Sequence, residues 1–394
     1  MLYRSEIKLV IMRKPILFIY KMFGLNIVTR DELVSNDDKY RVLHFGSEEL
    51  VTVSEPFTLG EIPKEVRKEI YPFTVTINKP FVCEVPHATL VGLTAVGFDR
   101  DESLVLETTI PYFSTETNYL ERRIPIRALA LSKFSKSDAL QVHTACSLVN
   151  HWGNNYWHWM MDSLTRIEGL EFYQEQMGLK PILIIQSNPT AWQIDSLKLL
   201  GYEPDDWIYW KDSIMQVERL VVPSFRRQYN NFHGLESPMA CRWLRQRMLS
   251  NISAPSSEKL AFSAKIFISR RKAVGRRIIN ENDVIEALAP FGFVTYVLEE
   301  MSFLDQVKLF SQAKIIVAPH GAGLTNIIFS QNLTVIELFG SFIQPSFANI
   351  SRALGFKYGF LKCQSPSTEF RRNEGDFIVD IAELRNFVSL MQKC

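Results

Sequence analysis

The chain has 394 residues, 46% of them hydrophobic, which is enough for two ordinary domains with full cores. A formal net charge of +1 excludes the broad positive field of a nucleic-acid binder or a membrane-surface protein. The five cysteines (Cys83, Cys146, Cys241, Cys363, Cys394) are scattered, odd in number and without metal-ligand spacing, so free thiols in a reducing, cytoplasmic setting are their simplest account.

Taken in chain order, Ile16 to Tyr20 is a short apolar run behind Arg13, Lys14 and Pro15. It falls far short of the ~20 residues that span a bilayer, so neither a transmembrane segment nor an export signal is expected. From about residue 40 to 130, short alternating segments such as Phe73–Ile77, Thr89–Leu93 and Ser103–Glu107 are separated by Gly, Pro and Asp turns, which predicts a β-rich portion. Asp99-Arg-Asp101 has a carboxylate spacing seen in metal-dependent sugar transferases, but it falls between two predicted strands and reads better as a β-turn.

His151 to Ile167 predicts a loop entering a helix at Asn154 or Asn155, both good N-cap residues. Helical spacing places His158, Asp162 and Arg166 on one face, each four residues from the next. A histidine, a carboxylate and an arginine in line within an aromatic segment are costly to bury unless paired or functional. The structural alternative is a half-exposed helix carrying an incidental His–Asp pair. His151, His158 and Asp162 also form a zinc-like set, but no second cluster with metal-ligand spacing supports it. Strand Pro181–Gln186, helix Ala191–Leu200, strands Trp207–Trp210 and Leu220–Val222 and helix Pro238–Ser250 then predict an α/β portion with a parallel sheet. The polar, turn-rich segment Asn251–Glu258 reads as a linker, dividing an N-terminal lobe (residues 1–255) from a C-terminal lobe (residues 256–394).

In the second lobe the alternation is clearer. Strand Ile266–Ser269 runs into a basic loop (Arg270, Arg271, Lys272, Arg276, Arg277) and then a helix capped by Asn280. Lys272 and the other outer members read as a solvated charge run. Ser269 and Arg270, at a strand's carboxyl end, read as ligand-binding. Strand Val294–Leu298, helix Phe303–Gln312 with Ser302 as N-cap, and strand Ile315–Ala318 follow. That strand discharges into His320-Gly-Ala-Gly-Leu-Thr-Asn326, with a helix expected from about Leu324. Gly321 and Gly323 let the backbone turn and approach a ligand, and the free N–H groups of a helix start suit phosphate. Strand Val335–Phe339 carries Glu337, a lone charged residue on a strand, read either as a ligand contact or as a buried structural acid. A helix near Phe347–Leu354, strand Tyr358–Lys362 and a last helix from Ile381, capped by Asp380, complete a Rossmann-like pattern.

Three of these segments, Asn155-Tyr-Trp-His-Trp-Met-Met-Asp162, Ile268-Ser-Arg270 and Val317-Ala-Pro-His-Gly-Ala-Gly-Leu-Thr-Asn326 followed by Val335-Ile-Glu-Leu338, together resemble the glycosyltransferase 61 family. The order and spacing agree over roughly residues 80 to 390, and the first 75 or so residues have no counterpart. The resemblance implies an α/β, GT-B-like fold with two Rossmann-like lobes facing a cleft. It also implies inverting transfer from a nucleotide sugar, UDP-linked among the candidates, without a metal or other cofactor. The acceptor it implies is a glycan or lipid-linked glycan, in capsular or extracellular polysaccharide assembly, with work in the cytoplasm or at the inner face of the membrane.

On that basis Ser269, Arg270 and the backbone of Gly321, Ala322, Gly323 and Leu324 are expected to hold the donor's pyrophosphate, with Asn326 ordering the loop and His320 touching phosphate or sugar. Asp162 is expected as the base, with His158 as its orienting partner or as the base itself, and Arg166 as a counter-charge for Asp162. Two rivals have different signatures. A nicotinamide-dependent oxidoreductase would keep a third glycine where Asn326 stands and an acid about 20 residues further on, where this chain has Phe342 and Ile343. A catalytically silent nucleotide-sugar or glycan-binding protein would use the same loop without turnover.

Overall fold

The computed structural model describes residues 26–109, 140–211, 214–229, 234–252, 262–365 and 375–393. The apolar run Ile16–Tyr20, residues 253–258 of the expected linker and Cys394 lie outside them. Among the described residues no helix is long and apolar enough to cross a membrane.

The strands in chain order are Ile27–Val28 (β1), Val42–His44 (β2), Glu49–Val53 (β3), Phe73–Ile77 (β4), Phe81–Val91 (β5), Val96–Phe98 (β6), Leu104–Val105 (β7), Leu140–Ser147 (β8) and Ile182–Gln186 (β9). They continue with Trp207–Trp210 (β10), Ile214–Pro223 (β11), Arg227–Tyr229 (β12), Gly234–Glu236 (β13), Lys265–Ser269 (β14), Val294–Val297 (β15), Ile315–Pro319 (β16), Thr334–Phe339 (β17) and Lys357–Lys362 (β18). The chain folds as two compact units that interleave along the sequence. The described parts of the first are 26–47, 79–109, 140–190, 202–211 and 214–226; those of the second are 48–78, 191–201, 227–229, 234–252, 262–365 and 375–393. Residues 48–78 and 227–252 thus belong with the C-terminal part of the chain.

The first unit is built on a mixed nine-stranded sheet in the order β1-β7-β6-β5-β11-β8-β9-β10, with β2 also on β5. Sequence patterning separates a β-rich portion from a parallel-sheet portion, and the structure joins the two. Strand β11 pairs antiparallel with β5 along one edge and parallel with β8 along the other. Met215 and Val217 are buried while Gln216 and Glu218 are not, the alternation of a half-covered strand, and from Leu220 to Pro223 the strand is buried throughout. Phe81, Val85, Leu90, Ala145, Ile184, Val217 and Leu220 form its core. The Asp99-Arg-Asp101 turn is structural: buried Asp99 accepts from the Ser103 and Asp101 N–H groups, the Lys39 ammonium at 2.7 Å and the Tyr40 hydroxyl at 2.8 Å.

The second unit carries a five-stranded, all-parallel sheet in the order β15-β14-β16-β17-β18. Strands β14, β16 and β17 are buried on both faces along most of their length, and Phe267, Val317, Ile336, Leu338, Leu361 and Phe387 form a core around them. Helix Phe303–Gln312 starts where expected, with Ser302 accepting from the Asp305 N–H, and Asp380 accepts from Glu383 at the start of helix Ile381–Lys393. Asn280 does not cap its helix; its side-chain amide instead pairs with both backbone groups of Val379. The antiparallel pair β3–β4 joins this unit, and the Arg352 guanidinium ties helix Ser346–Ala353 to the carbonyls of Ser54 and Tyr71.

Candidate functional site

In the second unit the strand order reverses between β14 and β16. The chain leaves β14 for β15 on one side and returns to β16 on the other. In open parallel sheets a crevice forms at the carboxyl ends of such a pair, and ligands bind there. The residues at those two ends are Ser269-Arg270 and His320-Gly321.

The Arg270 guanidinium lies directly over Gly321: a Cβ on Gly321 would sit 2.0 Å from Arg270 Nη1. Gly321 has φ 177° and ψ 159°, extended backbone open to any residue, so the glycine is required by this close approach rather than by a turn. Gly323 follows the same logic, since its Cβ would meet Leu298 Cδ1 at 2.6 Å. The helix after the loop is a 3-10 helix that starts at Ala322, earlier than the sequence suggests. Its first bond runs from the Leu324 N–H to the Gly321 carbonyl at 2.9 Å, so Leu324 is committed and Ala322 and Gly323 are the donors left at the helix start.

Arg270 donates through Nη2 to the Gly275 carbonyl at 3.1 Å, while its buried Nε has no hydrogen-bond partner. Burial pulls its pKa down to about 10, with repulsion from Arg276 adding to the effect. Arg276 is itself lowered, by burial, and its guanidinium rests 5.6 Å from the centre of the Phe342 ring. Arg276 also holds φ 58°, a left-handed conformation that non-glycine residues rarely adopt and that recurs at functional sites. Among the described residues neither arginine is joined to a carboxylate in an ion pair. Two partly buried guanidinium groups close enough to repel, one with an orphaned donor, form an environment suited to an anion. Lys272 pairs with Glu300, and Arg277 pairs with Asp376 through two guanidinium nitrogens.

The other expected donor-site residues are held more indirectly. Ser269 is buried, donates to Glu281 Oε1 at 2.7 Å and accepts from the Arg271 N–H, so it shapes the basic loop. Asn326 is buried and donates to Gln306, whose amide in turn holds the Leu298 and Met301 carbonyls. This fastens the 3-10 helix to helix Phe303–Gln312. Glu337 has no exposed surface and both its oxygens are occupied, by His320 Nδ1 at 2.6 Å and by the Tyr358 hydroxyl at 2.6 Å. The buried-acid reading of Glu337 is therefore the one its geometry supports.

In the first unit, Asn155 caps the segment as expected, accepting from the N–H groups of Trp157 and His158. The helix it opens is irregular: α over Tyr156–His158, π over Trp159–Ser163, 3-10 over Leu164–Arg166, and α again over Ile167–Met177. The Thr165 hydroxyl donates to the Met161 carbonyl at 2.6 Å, occupying a group that a regular helix would use itself, and the Asn150 amide donates to the Ser163 hydroxyl at 3.0 Å. Single π turns of this kind are frequent at functional sites.

His158 Nδ1 and Asp162 Oδ2 are 2.6 Å apart. The Asp162 side chain is fully covered, whereas that of His158 keeps 14% of its surface exposed. Trp152 stacks on the imidazole at 5.5 Å. Arg166 does not fall in line with them as the spacing predicts. Its guanidinium donates to the carbonyls of Pro223 (2.9 Å) and Ser147 (3.3 Å) and lies over the Phe225 ring.

Sequence reasoning missed Arg276, Tyr358 and Gln186. Gln186, at the carboxyl end of β9, donates to Asn154 at 2.6 Å and packs so tightly on Gly153 that a Cβ there would lie 2.3 Å from its Oε1. The loop leading to His158 is thus held from the neighbouring strand. Only Arg276 left a trace in the sequence, as one of five basic residues with nothing to rank them. A separate cavity of about 570 Å³ on the first unit's sheet, lined by His87, Arg100, Gln141, His143, Gln216 and Glu218 among others, contains none of the predicted site residues.

Comparisons with known proteins give a class for a chain with this crevice. Residues 156–336 match the model of the family Glycosyltransferase 61, a span that starts at the His158 helix and ends one residue before Glu337. The chain is 25% identical over 162 residues to the EGF domain-specific O-linked N-acetylglucosamine transferase of Rattus norvegicus, covering 38% of this chain and 30% of that protein. It is 26% identical over 182 residues to the Beta-1,2-xylosyltransferase of Arabidopsis thaliana, covering 42% and 32%. It is also 33% identical over 119 residues to the Protein O-linked-mannose beta-1,4-N-acetylglucosaminyltransferase 2 of Canis lupus familiaris, covering 28% and 19%. The matched region spans about a third or less of each relative, and all three are glycosyltransferases by name.

Proposed function

We propose that the chain is an inverting glycosyltransferase of the GT-B type that moves a sugar from a nucleotide-sugar donor to a hydroxyl of a glycan or lipid-linked glycan, in polysaccharide assembly. The observation that carries this is the pair of arginines, Arg270 and Arg276, that form no ion pair with a carboxylate among the described residues, with Arg270 over the Gly321 loop at the switch point of a parallel sheet. In this reading the two guanidinium groups and the N–H groups of Ala322 and Gly323 bind the donor's diphosphate. They also take up the charge that grows on it as the sugar–oxygen bond breaks, which is the task a divalent cation performs in metal-dependent transferases.

His158 is the better base on this geometry. Asp162 is covered and orients the imidazole through Nδ1, while the His158 side chain keeps part of its surface exposed; in this reading the imidazole receives the proton of the acceptor hydroxyl as its oxygen bonds to the sugar carbon. The proton ends on His158 and the nucleoside diphosphate departs with the bonding electrons. A reducing, cytoplasmic setting, at the inner face of the membrane when the acceptor is lipid-linked, is supported by the buried free thiols of Cys83, Cys146, Cys241 and Cys363.

The test is a thermal-shift screen of the purified protein against UDP-, GDP-, CMP- and TDP-linked sugars and NAD, repeated with Arg270→Ala. A ligand at a hundred times its Kd adds about 2.7 kcal/mol of stability. Stabilisation by one nucleotide sugar, lost in the variant, is the expected result. Stabilisation by NAD alone, or by none of the compounds, would overturn the proposal.

A further inference from the structure

Resting on the donor-site reading above, we infer that Glu337 and Tyr358 are positioning residues that hold His320 with its Nε2 against the diphosphate of the bound donor. Strand periodicity puts Val335, Glu337 and Phe339 on one face of β17, and Tyr358 and Phe360 on the same side of the adjacent β18. His320 follows directly on β16, the other neighbour of β17. Three adjacent parallel strands therefore each contribute one member of a linear relay: Tyr358 hydroxyl to Glu337 Oε2 at 2.6 Å, and Glu337 Oε1 to His320 Nδ1 at 2.6 Å.

Each member is constrained. Glu337 and Tyr358 are buried, and burial together with the Glu337 carboxylate holds the Tyr358 phenol well above its ordinary pKa, so it stays a donor to that carboxylate. With both oxygens engaged and no exposed surface, Glu337 reaches a ligand by hydrogen bonding through His320, while its charge also acts on the Arg276 guanidinium. The imidazole is fixed from the sides by Phe339 (5.4 Å, stacked), Phe347 (5.2 Å) and Phe342 (5.5 Å). Phe342 is also the ring on which Arg276 rests, and Gly321, next to His320, is the residue covered by Arg270. His320 thus borders the same spot as the two guanidinium groups. Its Nδ1 is committed, and no hydrogen bond among the described residues engages Nε2.

A carboxylate buried to fix the tautomer and direction of an imidazole is a recurring device wherever the other ring nitrogen contacts a ligand. Were the three residues only structural, an apolar trio of similar volume would close the same space without a desolvated charge.

The experiment is a titration of the full chain, labelled with ¹⁵N-histidine, with UDP and with GDP. The His320 nitrogen signals are assigned by their absence in His320→Gln, and thermal shifts are measured on the same samples. The expected result is a change at Nε2 on addition of the nucleotide that stabilises the chain, with Nδ1 remaining bound to Glu337. Glu337→Gln and Tyr358→Phe keep shape and should lower kcat by about 10–100-fold and about 10-fold, with KM for the acceptor unchanged. If a nucleotide stabilises the chain in an Arg270-dependent way while the Nε2 signal stays fixed, the relay is overturned and the donor site stands. Variants that keep kcat but lose thermal stability would assign the three residues to structure alone. If no nucleotide stabilises the chain, both readings fall together.

Discussion

In the proposed mechanism His158 and Asp162 divide the proton transfer by burial: the Asp162 carboxylate is enclosed while the His158 imidazole keeps part of its surface exposed. Replacing His158 by Ala should lower kcat by about 10²–10⁴-fold, the usual range for loss of a general base, and initial-rate measurements with the stabilising nucleotide sugar would show it. Asp162→Asn retains the shape but removes the charge that holds Nδ1, so it should lower kcat while leaving the donor KM nearly unchanged. If turnover of either variant stays within about tenfold of the parent, that residue has no part in the proton transfer. A second residue-scale prediction concerns Gly321. Adding one methyl group places a Cβ 2.0 Å from Arg270 Nη1, and the arginine has to leave the loop. Gly321→Ala should therefore abolish the nucleotide-dependent thermal shift while changing the stability of the free protein by about 1–3 kcal/mol, as for other overpacked positions. A variant that keeps its full nucleotide response would show that the contact between Arg270 and Gly321 does not shape the site.

At the scale of elements, sequence pattern fails where winding departs from one period. Reading Asn155 onward at 3.6 residues per turn puts His158, Asp162 and Arg166 in line, and the first two do meet. The π turn over Trp159–Ser163 and the 3-10 turn behind it then carry Arg166 away to the carbonyls of Ser147 and Pro223. A periodicity argument has no access to that, because the departure is set by contacts such as the Thr165 hydroxyl on the Met161 carbonyl. The strands and helices around the glycine loop were legible because both-sided apolar runs and N-cap residues are local signals; Phe303–Gln312 with Ser302 before it is an instance. Tyr358 and Gln186 were not legible, since their importance comes from neighbours far away in sequence. Asn155→Ala removes a cap that serves two N–H groups and should cost about 1 kcal/mol by chemical denaturation, with a further loss of kcat as His158 loses its entry geometry. Acid sensitivity of the first unit can be located in the same way. Burial opposes ionisation of Asp99, yet the Lys39 ammonium, the Ser103 N–H and the Tyr40 hydroxyl outweigh it and hold the carboxyl below its usual range. A depressed folded-state pKa means this contribution is present above the unfolded value of about 3.9 and is lost as pH falls through the lower, folded one. Asp99→Asn should therefore lower stability near neutral pH and flatten its decline below about pH 4, as read from denaturant midpoints across pH. An unchanged slope there would remove Asp99 as a source of the acid response.

At the scale of the whole molecule, a single linker near residue 255 is the natural reading of a sequence whose polar, turn-rich stretch lies there, because composition reports where the chain is soluble and not which strands it joins. The compact units are drawn from alternating stretches of chain instead. The second unit takes its β3–β4 pair and the residues between them from positions 48–78, and specific bonds attach them. The Phe57 N–H donates to the Tyr358 carbonyl at 2.8 Å, Glu49 accepts from the Ser237 hydroxyl and from the Met239 N–H, and Arg352 reaches the carbonyls of Ser54 and Tyr71. Arg352 is buried with those carbonyls as the partners of its Nη1, so without residues 48–78 that nitrogen loses both acceptors and the side chain loses its cover. Strand β18 would also lose the Phe57 backbone bridge along its outer edge. A fragment of residues 256–394 should accordingly lack a cooperative unfolding transition, whereas a chain that restores residues 48–78, 191–201 and 227–255 to it should recover one. Circular dichroism during urea unfolding reads both. If the fragment of residues 256–394 alone unfolds cooperatively with the midpoint of the full chain, the C-terminal lobe is self-sufficient and the division at residue 255 is the physical one.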